Sequence, residues 1–289
     1  MQIVERLETA LPDMQPINRK IASYILENAQ GVAFSSIYEQ SAAIGVSNAT
    51  LVRFARSLGF GGWAELKRTI QEEIKQRLSP IEKVALSGLD ALPSGAQLEQ
   101  LCENEIGNLK KTLEALSLAD LQAMVEGVAA AGRIFLCGFG VTRHVIGILE
   151  HALSCTQSKG VTALTGAVSD FSPKLRALEE GDALFLLTFP PYSREALHVA
   201  AEAKERGARL FLFTDSPRCP AYRLADAAVR CENNSLLLTN SFVGLIAVVQ
   251  IFVNLLFLSD KALAVSRLGE VLALEGRGYA RLSGEPDGE

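Results

Sequence analysis

Short polar side chains and arginines are grouped on one stretch of the chain, where they suit contact with DNA. In NATLVRFARSL, residues 48–58, an asparagine, a threonine and two arginines occur within a segment of helical periodicity. Short polar groups can reach base edges in the major groove, and arginine can bind guanine or a phosphate. The candidate DNA contacts are Ser47, Asn48, Thr50, Arg53, Arg56 and, on the next helix, Lys67. Lys67 and its neighbour Arg68 suit a phosphate beside the groove.

A second group of candidates follows an apolar run, RIFLCGFG, in the second half of the chain. Gly138 and Gly140 lie at the end of the run, and Thr142 opens the next predicted helix. Backbone N–H groups and a hydroxyl can face an anion at such a turn. Glycines required only for a tight turn explain the pattern equally well. A dinucleotide site would need a third glycine where Arg143 stands, so we predict no nucleotide cofactor.

The stretch LLTFPPYSRE supplies the third group of candidates, which are Thr188, Tyr192, Ser193 and Arg194. Hydroxyls and a guanidinium can hold an anionic ligand, and the tyrosine ring can cover one. Pro190 and Pro191 have no N–H, so a cradle for an anion at this position loses two backbone donors. Two interpretations remain open: a pocket with a changed ligand, and a rigid loop that closes an empty pocket.

No spacing in the chain predicts a metal site or catalytic residues. His144 and His151 are seven residues apart on one predicted helix, where packing or a subunit contact explains them, and His198 stands alone. No nucleophile, base and orienting group can be assembled from the spacing. The polar segment 239–241 precedes a long apolar helix, and helix capping explains it more simply than ligand contact.

The first 77 residues show helical periodicity only, and they predict a compact bundle of five short helices. A helix-turn-helix is expected over residues 35–60. Gly45 can take a positive φ, Val46 fills the angle between the helices, and Ser47 can cap the second helix. The apolar residues expected to meet across the crossing are Ile37, Ile44, Leu51 and Phe54.

Two prolines and two Ser-Gly pairs interrupt the pattern after the bundle, so we place a linker at 78–96 between domains at 1–77 and 97–285. Helices at 97–116 and 118–131 open the second domain. Apolar runs then alternate with helical segments, and the runs are 133–140, 161–166, 182–189, 209–215 and 226–231. Continuously apolar strands separated by helices predict a five-stranded, parallel, doubly wound (flavodoxin-like) α/β sandwich. The predicted fold is therefore an all-α bundle followed by this α/β sandwich.

Composition bounds the class of protein. The whole chain has 28 Lys/Arg and 33 Asp/Glu, whereas residues 1–77 have nine basic and eight acidic side chains, and this modest asymmetry permits a DNA-binding first part joined to an acidic second part. The five cysteines form no CxxC pair, which predicts free thiols in a reducing cytoplasm. The 17-residue apolar run 242–258 is short for a membrane span and contains Gln250 and Asn254. We expect a buried helix there, no membrane partner and a cytoplasmic protein.

The segment GVSNATLVRFARSLGFGGWAELK, residues 45–67, resembles the helix-turn-helix domain of the RpiR/MurR family of bacterial transcription regulators, and the resemblance extends over residues 1–77. Proteins of that family join this domain to a sugar-isomerase-type (SIS) domain that binds sugar phosphates. The order of elements from Ile134 to about Arg281 is similar to a SIS domain. One departure is that Gln40 and Ser41 stand where the family usually has Leu and Ala. Ser41 is small enough for the helix crossing, and we expect Gln40 to turn outward.

In SIS domains an S-x-S-G-x-T loop follows the strand that here ends in DALFLLTF, and it binds the phosphosugar. By this resemblance Thr188 takes the place of the first Ser and Ser193 that of the final Thr, while Pro190 and Pro191 replace the middle Ser and Gly. The replacement implies a changed effector: a small anionic metabolite, with a sugar phosphate as one candidate.

The resemblance implies a DNA-binding transcriptional regulator of a metabolic operon, a repressor rather than an enzyme, whose SIS-like domain binds the effector and forms a homodimer or homotetramer. A dimer favours a palindromic double-stranded DNA operator. The alternative is a sugar-phosphate isomerase or lyase of the SIS class, against which both the altered loop and the helix-turn-helix argue. A third hypothesis is an adaptor that uses the helical bundle for protein contact.

Overall fold

The computed structural model describes residues 3–77 and 80–283, which form two compact units. The first unit extends to Pro93 and includes the short segment Leu236–Thr239, and the second contains Ser94–Ser235 and the residues from Asn240 onward. Residues 78, 79 and 284–289, which the predicted linker and second domain include in part, lie outside the described residues.

Residues 3–77 fold into helices without a strand. The helices are α1 Ile3–Ala10, α2 Pro16–Glu27, α3 Ala29–Phe34, α4 Ile37–Ile44, α5 Asn48–Ser57 and α6 Trp63–Arg77. These are six α-helices rather than the predicted five, because Asn28, with φ −130° and ψ 34°, interrupts the helical run and separates α3 from α2. One core joins the helices, and its largest buried side chains include Ile21, Ile25, Leu51, Phe54 and Trp63.

Most of the predicted linker is helical. Helix α7 covers Pro80–Ser87, a 3₁₀ turn covers Leu89–Ala91, and α8 begins at Ser94. Prolines 80 and 93 stand at the start of α7 and just ahead of α8, where their missing N–H groups cost no helical hydrogen bond. The two prolines therefore mark helix boundaries rather than an unstructured segment.

The second unit contains a five-stranded parallel sheet in the order β2-β1-β3-β4-β5, as the sequence predicted for a flavodoxin-like sheet. The strands are β1 Ile134–Gly138, β2 Val161–Leu164, β3 Ala183–Leu187, β4 Arg209–Thr214 and β5 Ala227–Arg230. The helices are α8 Ser94–Glu114, α9 Leu118–Ala130, α10 Thr142–Thr156, α11 Val168–Leu175, α12 Arg194–Glu205, α13 Val243–Ser259 and α14 Lys261–Ser283.

Each face of the sheet has its own hydrophobic core, because successive side chains of a strand point to opposite faces. Phe185 and Leu187 of β3 contribute to one core, together with Phe252 of α13. Leu184 and Leu186 of the same strand contribute to the other, with Val199 of α12 among their neighbours. Helices cover both faces, which explains why the central strands are apolar throughout.

The long apolar run is helix α13, as expected, and it packs on the sheet. The residues that it buries include Leu245, Val248, Val249, Phe252 and Leu256. Within residues 3–77 and 80–283, no single helix has the length and apolar character to cross a membrane. Helices α13 and α14 pass that test only as a pair that is bent by 107° at their junction.

We expect Gly127→Ala to destabilise the α/β unit. Gly127 of α9 faces β4, and a Cβ at this position would lie 2.1 Å from Cζ of the fully buried Phe211 ring. Overpacking costs about 1–3 kcal/mol, and alanine recovers up to about 1 kcal/mol of helix propensity. The net loss in the free energy of unfolding should be about 1–2 kcal/mol, measured by denaturant titration.

A matched control is Gly147→Ala on α10, where an added Cβ would meet no atom within 4 Å. That substitution should raise the free energy of unfolding by up to about 1 kcal/mol. If both substitutions had the same effect, packing against Phe211 would not be the reason for glycine at position 127.

Candidate DNA-reading helix and effector site

The predicted helix-turn-helix is confirmed, with α4 and α5 as its two helices. Ser36 and Glu39 form a capping box at the start of α4, and the N–H of Ser36, donating at 2.6 Å, lowers the pKa of the Glu39 carboxyl. Helix α4 ends at Gly45, whose φ of +72° favours glycine. Ser47 then caps α5 by accepting a hydrogen bond from the Thr50 N–H at 3.2 Å. The caps therefore fix a three-residue turn between the helices.

The apolar residues predicted to meet at the helix crossing belong to one core. Ile44, Leu51 and Phe54 are buried in it, and Ile37 and Val46 pack against it while partly exposed. This packing leaves the opposite face of α5 outward.

The outward face of α5 carries the predicted DNA contacts. Arg53 and Arg56 are exposed, and their guanidinium groups donate to Thr50 Oγ1 and to the Gly61 carbonyl, each at 3.3 Å. Ser47 is also exposed, whereas Thr50 and Asn48 are half-buried. Oδ1 of Asn48 is buried and has no hydrogen-bond partner among the described residues. Both arginines thus keep donors available at the surface of the predicted recognition helix.

Lys67 is less available than the sequence suggested. It is half-buried on α6, and its ammonium donates to the Ser35 carbonyl at 2.5 Å. One of its three donors therefore serves the protein itself. Its contact with DNA stays a prediction.

Lys20 is a cation beside the turn that sequence reasoning missed. A Cβ built at Gly45 would lie 3.3 Å from Lys20 Nζ, so the ammonium lies next to the turn. Lys20 is exposed on α2, a helix that packs against both α4 and α5. No spacing rule could find this residue, because only the packing of α2 brings it to the turn.

The expectation that Gln40 turns outward is wrong. Gln40 is 1% exposed, its amide donates to the carbonyls of Val32 and Ser35, and its Oε1 accepts a hydrogen bond from Trp63 Nε1 at 2.5 Å. A buried amide is tolerated when its polar atoms are paired, and these partners pair it.

The first predicted effector loop follows β1. Gly138 ends the strand, and an added Cβ would lie 2.8 Å from Ile146 Cγ1, so only glycine fits. Gly140 has φ +59°. Thr142 is buried, and its hydroxyl donates to the Phe139 carbonyl at 2.8 Å, which braces the loop. No side chain caps the start of α10, so its first N–H groups have no side-chain acceptor there.

The second predicted effector loop follows β3. The peptide bond between Pro190 and Pro191 is cis. Thr188 is buried and its N–H donates to the Phe213 carbonyl at 3.1 Å. Ser193 caps α12 by accepting from the Ala196 N–H at 3.1 Å, so its hydroxyl has a structural task. Arg194, the first residue of α12, is exposed.

Tyr192 is tied to the neighbouring strand end. Its hydroxyl donates to Asp215 Oδ1 at 2.6 Å, just beyond β4. Burial of the ring, together with the Asp215 carboxylate, raises the pKa of the Tyr192 phenol. The phenol is therefore held protonated and directed at Asp215.

Strand order brings the two loops together. β1 pairs with β3 on one side and with β2 on the other, and Gly138 is level with Leu187 in the β1–β3 ladder. The connection from β1 to β2 and the connection from β2 to β3 run across the sheet in opposite directions. The topological switch point therefore lies between β1 and β3. Loops 138–142 and 188–194 therefore leave adjacent strands at the same end.

The capping role expected for the polar segment 239–241 is wrong for Asn240. Residue Phe242 precedes α13, and no side chain caps that helix. Asn240 instead donates from Nδ2 to the Pro190 carbonyl at 2.6 Å. The Ser241 hydroxyl accepts one long hydrogen bond from the Val243 N–H, at 3.4 Å, and donates to Glu105 Oε2. Fifty positions separate Asn240 from Pro190 in the sequence, so local spacing could not connect them.

All five cysteines are free thiols, as the sequence predicted. Across residues 3–77 and 80–283, no group of three or more His, Cys, Asp or Glu side chains could hold a metal ion.

Comparison with known proteins assigns both units. Residues 1–77 match the helix-turn-helix domain of the rpiR family, and residues 128–255 match the SIS domain. The chain belongs to the RpiR family of transcriptional regulators. An uncharacterized HTH-type transcriptional regulator of Haemophilus influenzae is 26% identical to this RpiR-family protein over 253 residues, which cover 87% of this chain and 86% of the relative. YbbH of Bacillus subtilis, also named an uncharacterized HTH-type transcriptional regulator, is 22% identical over 275 residues, 91% of this chain and 90% of the relative.

Solved structures show the same architecture as the RpiR-family chain. The sugar isomerase domain of an RpiR transcription factor from Sphaerobacter thermophilus is 29% identical and has a TM-score of 0.57, covering 60% of this chain and 96% of that one. The Vibrio vulnificus NanR protein, complexed with ManNAc-6P, is 21% identical with a TM-score of 0.57, covering 94% and 97%. This RpiR-family protein is thus a DNA-binding regulator that joins a helix-turn-helix domain to a SIS domain.

Proposed function

We propose that this RpiR-family regulator represses a metabolic operon and is controlled by a sugar phosphate or a related small anion bound in its SIS domain. The observation that carries the effector proposal is the β1–β3 pairing, which places loops 138–142 and 188–194 side by side at the switch point of the sheet. Open parallel α/β sheets bind their ligands in this crevice.

On the DNA side, α5 enters the major groove in this proposal. Ser47, Asn48 and Thr50 stand at its start, where a recognition helix meets base edges, and Arg53 and Arg56 follow on the exposed face. Lys20 and Lys67 supply phosphate contacts that position the helix without specifying sequence. Two copies joined through their SIS domains would present two such helices to a palindromic operator in the cytoplasm.

On the effector side, the donors differ from those of a serine-rich phosphate loop. Pro190 and Pro191 offer no N–H, and the Ser193 hydroxyl caps α12. The remaining donors for an anion are the uncapped N–H groups at the start of α10, near Gly138, Gly140 and Thr142, and the exposed guanidinium of Arg194. The Ser193 hydroxyl only accepts in its cap, so its O–H can also donate to the anion. Thr188 and Tyr192 belong to loop 188–194, as Arg194 does.

We propose sensing without turnover. Two hydroxyls of the second loop already serve the protein, because Ser193 accepts from the Ala196 N–H and Tyr192 donates to Asp215. An isomerase needs an acid and a base at the reacting carbons, and the described contacts of this loop supply anchoring instead.

The effector half is tested by thermal shift against phosphosugars, with ManNAc-6P, which NanR binds, as the first compound. A ligand at 100 times its Kd should stabilise the protein by about 2.7 kcal/mol, which raises the melting temperature. Amino acids and non-phosphorylated sugars are the controls. Stabilisation by no phosphosugar would count against this effector class.

The regulatory half is tested by fluorescence anisotropy with DNA from upstream of the chain's own gene, with and without the stabilising compound. We expect binding that weakens steeply with salt, and an affinity that the compound changes. Salt-insensitive binding would contradict DNA recognition. Turnover of a phosphosugar that is lost in Glu195→Gln would favour the isomerase alternative.

A further inference from the structure

A group of four polar residues near the second effector loop forms a hydrogen-bonded cluster. The asparagine cluster consists of Asn233, Asn234, Asn240 and Ser241. Nδ2 of Asn240 donates to the Pro190 carbonyl at 2.6 Å, and its Oδ1 accepts from Asn233 Nδ2 at 2.6 Å. The Ser241 N–H donates to the Asn233 carbonyl at 3.0 Å. Both polar atoms of the Asn240 amide are therefore committed, one to the effector loop and one to the cluster.

The other side of the asparagine cluster is bonded to α8. Asn234 Nδ2 donates to Asn104 Oδ1 at 2.6 Å, and the Asn234 carbonyl accepts from Asn108 Nδ2 at 2.7 Å. The Ser241 hydroxyl donates to Glu105 Oε2. Three neighbouring side chains of α8, those of Asn104, Glu105 and Asn108, thus hold the cluster, and Asn108 is 2% exposed.

This arrangement joins the effector loop to α8 by a continuous path of Pro190, Asn240, Ser241 and Glu105. Water competes poorly with these bonds because the residues concerned are buried or half-buried. A network whose members share partners has one favoured arrangement, so a shift of the loop must be accommodated at α8. Helix α8 directly follows the boundary segment at the end of the first unit.

We propose that Asn240 is a positioning residue of the effector site, and that the asparagine cluster couples the position of loop 188–194 to α8. The coupling is a property of the fold, whereas its use in sensing rests on the proposed effector function. Ligand binding in the crevice would then be reported at the helix through which the SIS domain continues from the DNA-binding domain.

Hydrogen exchange of the Thr188 and Ala196 amides in the full chain, without ligand, tests the coupling, because these N–H groups donate to the Phe213 carbonyl and to Ser193 Oγ at the two ends of the loop. Asn240→Ala should accelerate exchange about three- to tenfold, the loss expected for one hydrogen bond. Glu105→Ala, whose own bonds go to Asn104, Asn108 and Ser241, should accelerate the same two amides. The double variant should exchange more slowly than the product of the two single effects predicts, because both remove parts of one path.

Asn254→Ala is the matched control, because Asn254 donates only along its own helix to the Gln250 carbonyl and should leave both amides unchanged. Asn240→Asp keeps the shape and the acceptor but loses the donor to Pro190, so it replaces the alanine variant if that variant fails to fold. Unchanged exchange in the Asn240 variants would overturn the positioning role. Independent, multiplicative effects of Asn240→Ala and Glu105→Ala would overturn the coupling.

A binding experiment with ligand distinguishes a failure of the proposed coupling from a failure of the proposed effector class. With ManNAc-6P as the probe, Asn240→Asp should weaken binding about tenfold while Asn254→Ala should not, since one displaced loop contact costs roughly that factor. A wild-type protein that binds no phosphosugar would refute the proposed effector class. The exchange experiment would still decide the coupling, because it uses no ligand.

Discussion

Arg53→Ala is expected to weaken operator binding about 10- to 100-fold, the effect of removing an arginine that contacts a base or a phosphate at a recognition helix. Arg53 is exposed on α5, six residues after the Ser47 cap, and its guanidinium donates only a 3.3 Å bond to Thr50 Oγ1. That bond orients the side chain along the outward face and leaves its other donors for DNA. Fluorescence anisotropy at several salt concentrations measures the affinity and its salt slope.

The salt slope tells the two possible targets of Arg53 apart. If Arg53 holds a phosphate, the slope should fall by about one charge, and Arg53→Lys should restore much of the affinity. If it reads guanine bidentately, Arg53→Lys should bind weakly and accept altered operators, because lysine lacks the planar fork. Arg206→Ala, directly after α12, is the matched control, since Arg206 pairs with Glu202 in the SIS domain. An affinity of Arg53→Ala within twofold of the wild type would remove α5 from the proposed interface.

Periodicity predicted the α/β unit well because its physical cause is local. Strands covered on both faces must be apolar at every position, as in Ile134–Gly138 and Ala183–Leu187, and no helix of similar length needs that pattern. Helix boundaries were less accurate. The break at Asn28 depends on a backbone conformation that no glycine or proline at this position indicates. The sequence-based prediction therefore did not separate α3 from α2.

Side-chain roles at the site were predicted unevenly, and the distance of their partners in the sequence explains the difference. Ser47 caps the residue three positions on, so its role was readable. Ser193 has the same local geometry, and its contact with the ligand, which the resemblance to a phosphate loop implies, stays a prediction. Asn240 and Lys20 owe their positions to residues far along the chain, and only the folded structure identifies them.

Gln40 shows how a substitution within a family pattern can be misjudged. Leucine is usual at this position, and an amide at a helix crossing is costly unless each polar atom is paired. The outward orientation expected from the sequence would avoid that cost. The structure pairs the amide instead, and its key partner, Trp63, is 23 positions away on α6. The glutamine thus joins α4 to both α3 and α6 through Val32 and Trp63.

Restoring the family residue should therefore destabilise this protein. Gln40→Leu leaves the Trp63 indole N–H, in a side chain only 3% exposed, and the Val32 carbonyl without these partners. Each buried polar group that loses its partner costs about 1–3 kcal/mol, and the added apolar surface offsets part of this, so the net loss should be about 2–4 kcal/mol. Trp63 is the only tryptophan in the chain, so its fluorescence during denaturant unfolding follows the helical unit alone.

The double variant Gln40→Leu with Trp63→Phe separates hydrogen bonding from packing, and its unfolding is followed by circular dichroism because the tryptophan is gone. Replacing both partners by apolar groups can be nearly neutral, so the double variant should be more stable than the sum of the single effects predicts. Ser41→Ala is the control at the neighbouring family position, since Ser41 only donates to the Tyr38 carbonyl at 2.9 Å on its own helix. If Gln40→Leu were as stable as the wild type, the Trp63 N–H would have another acceptor, and the glutamine would be incidental to the bundle. If the two substitutions were additive instead, the cost would come from the cavity and the shape of the crossing, and leucine would fail there for steric reasons.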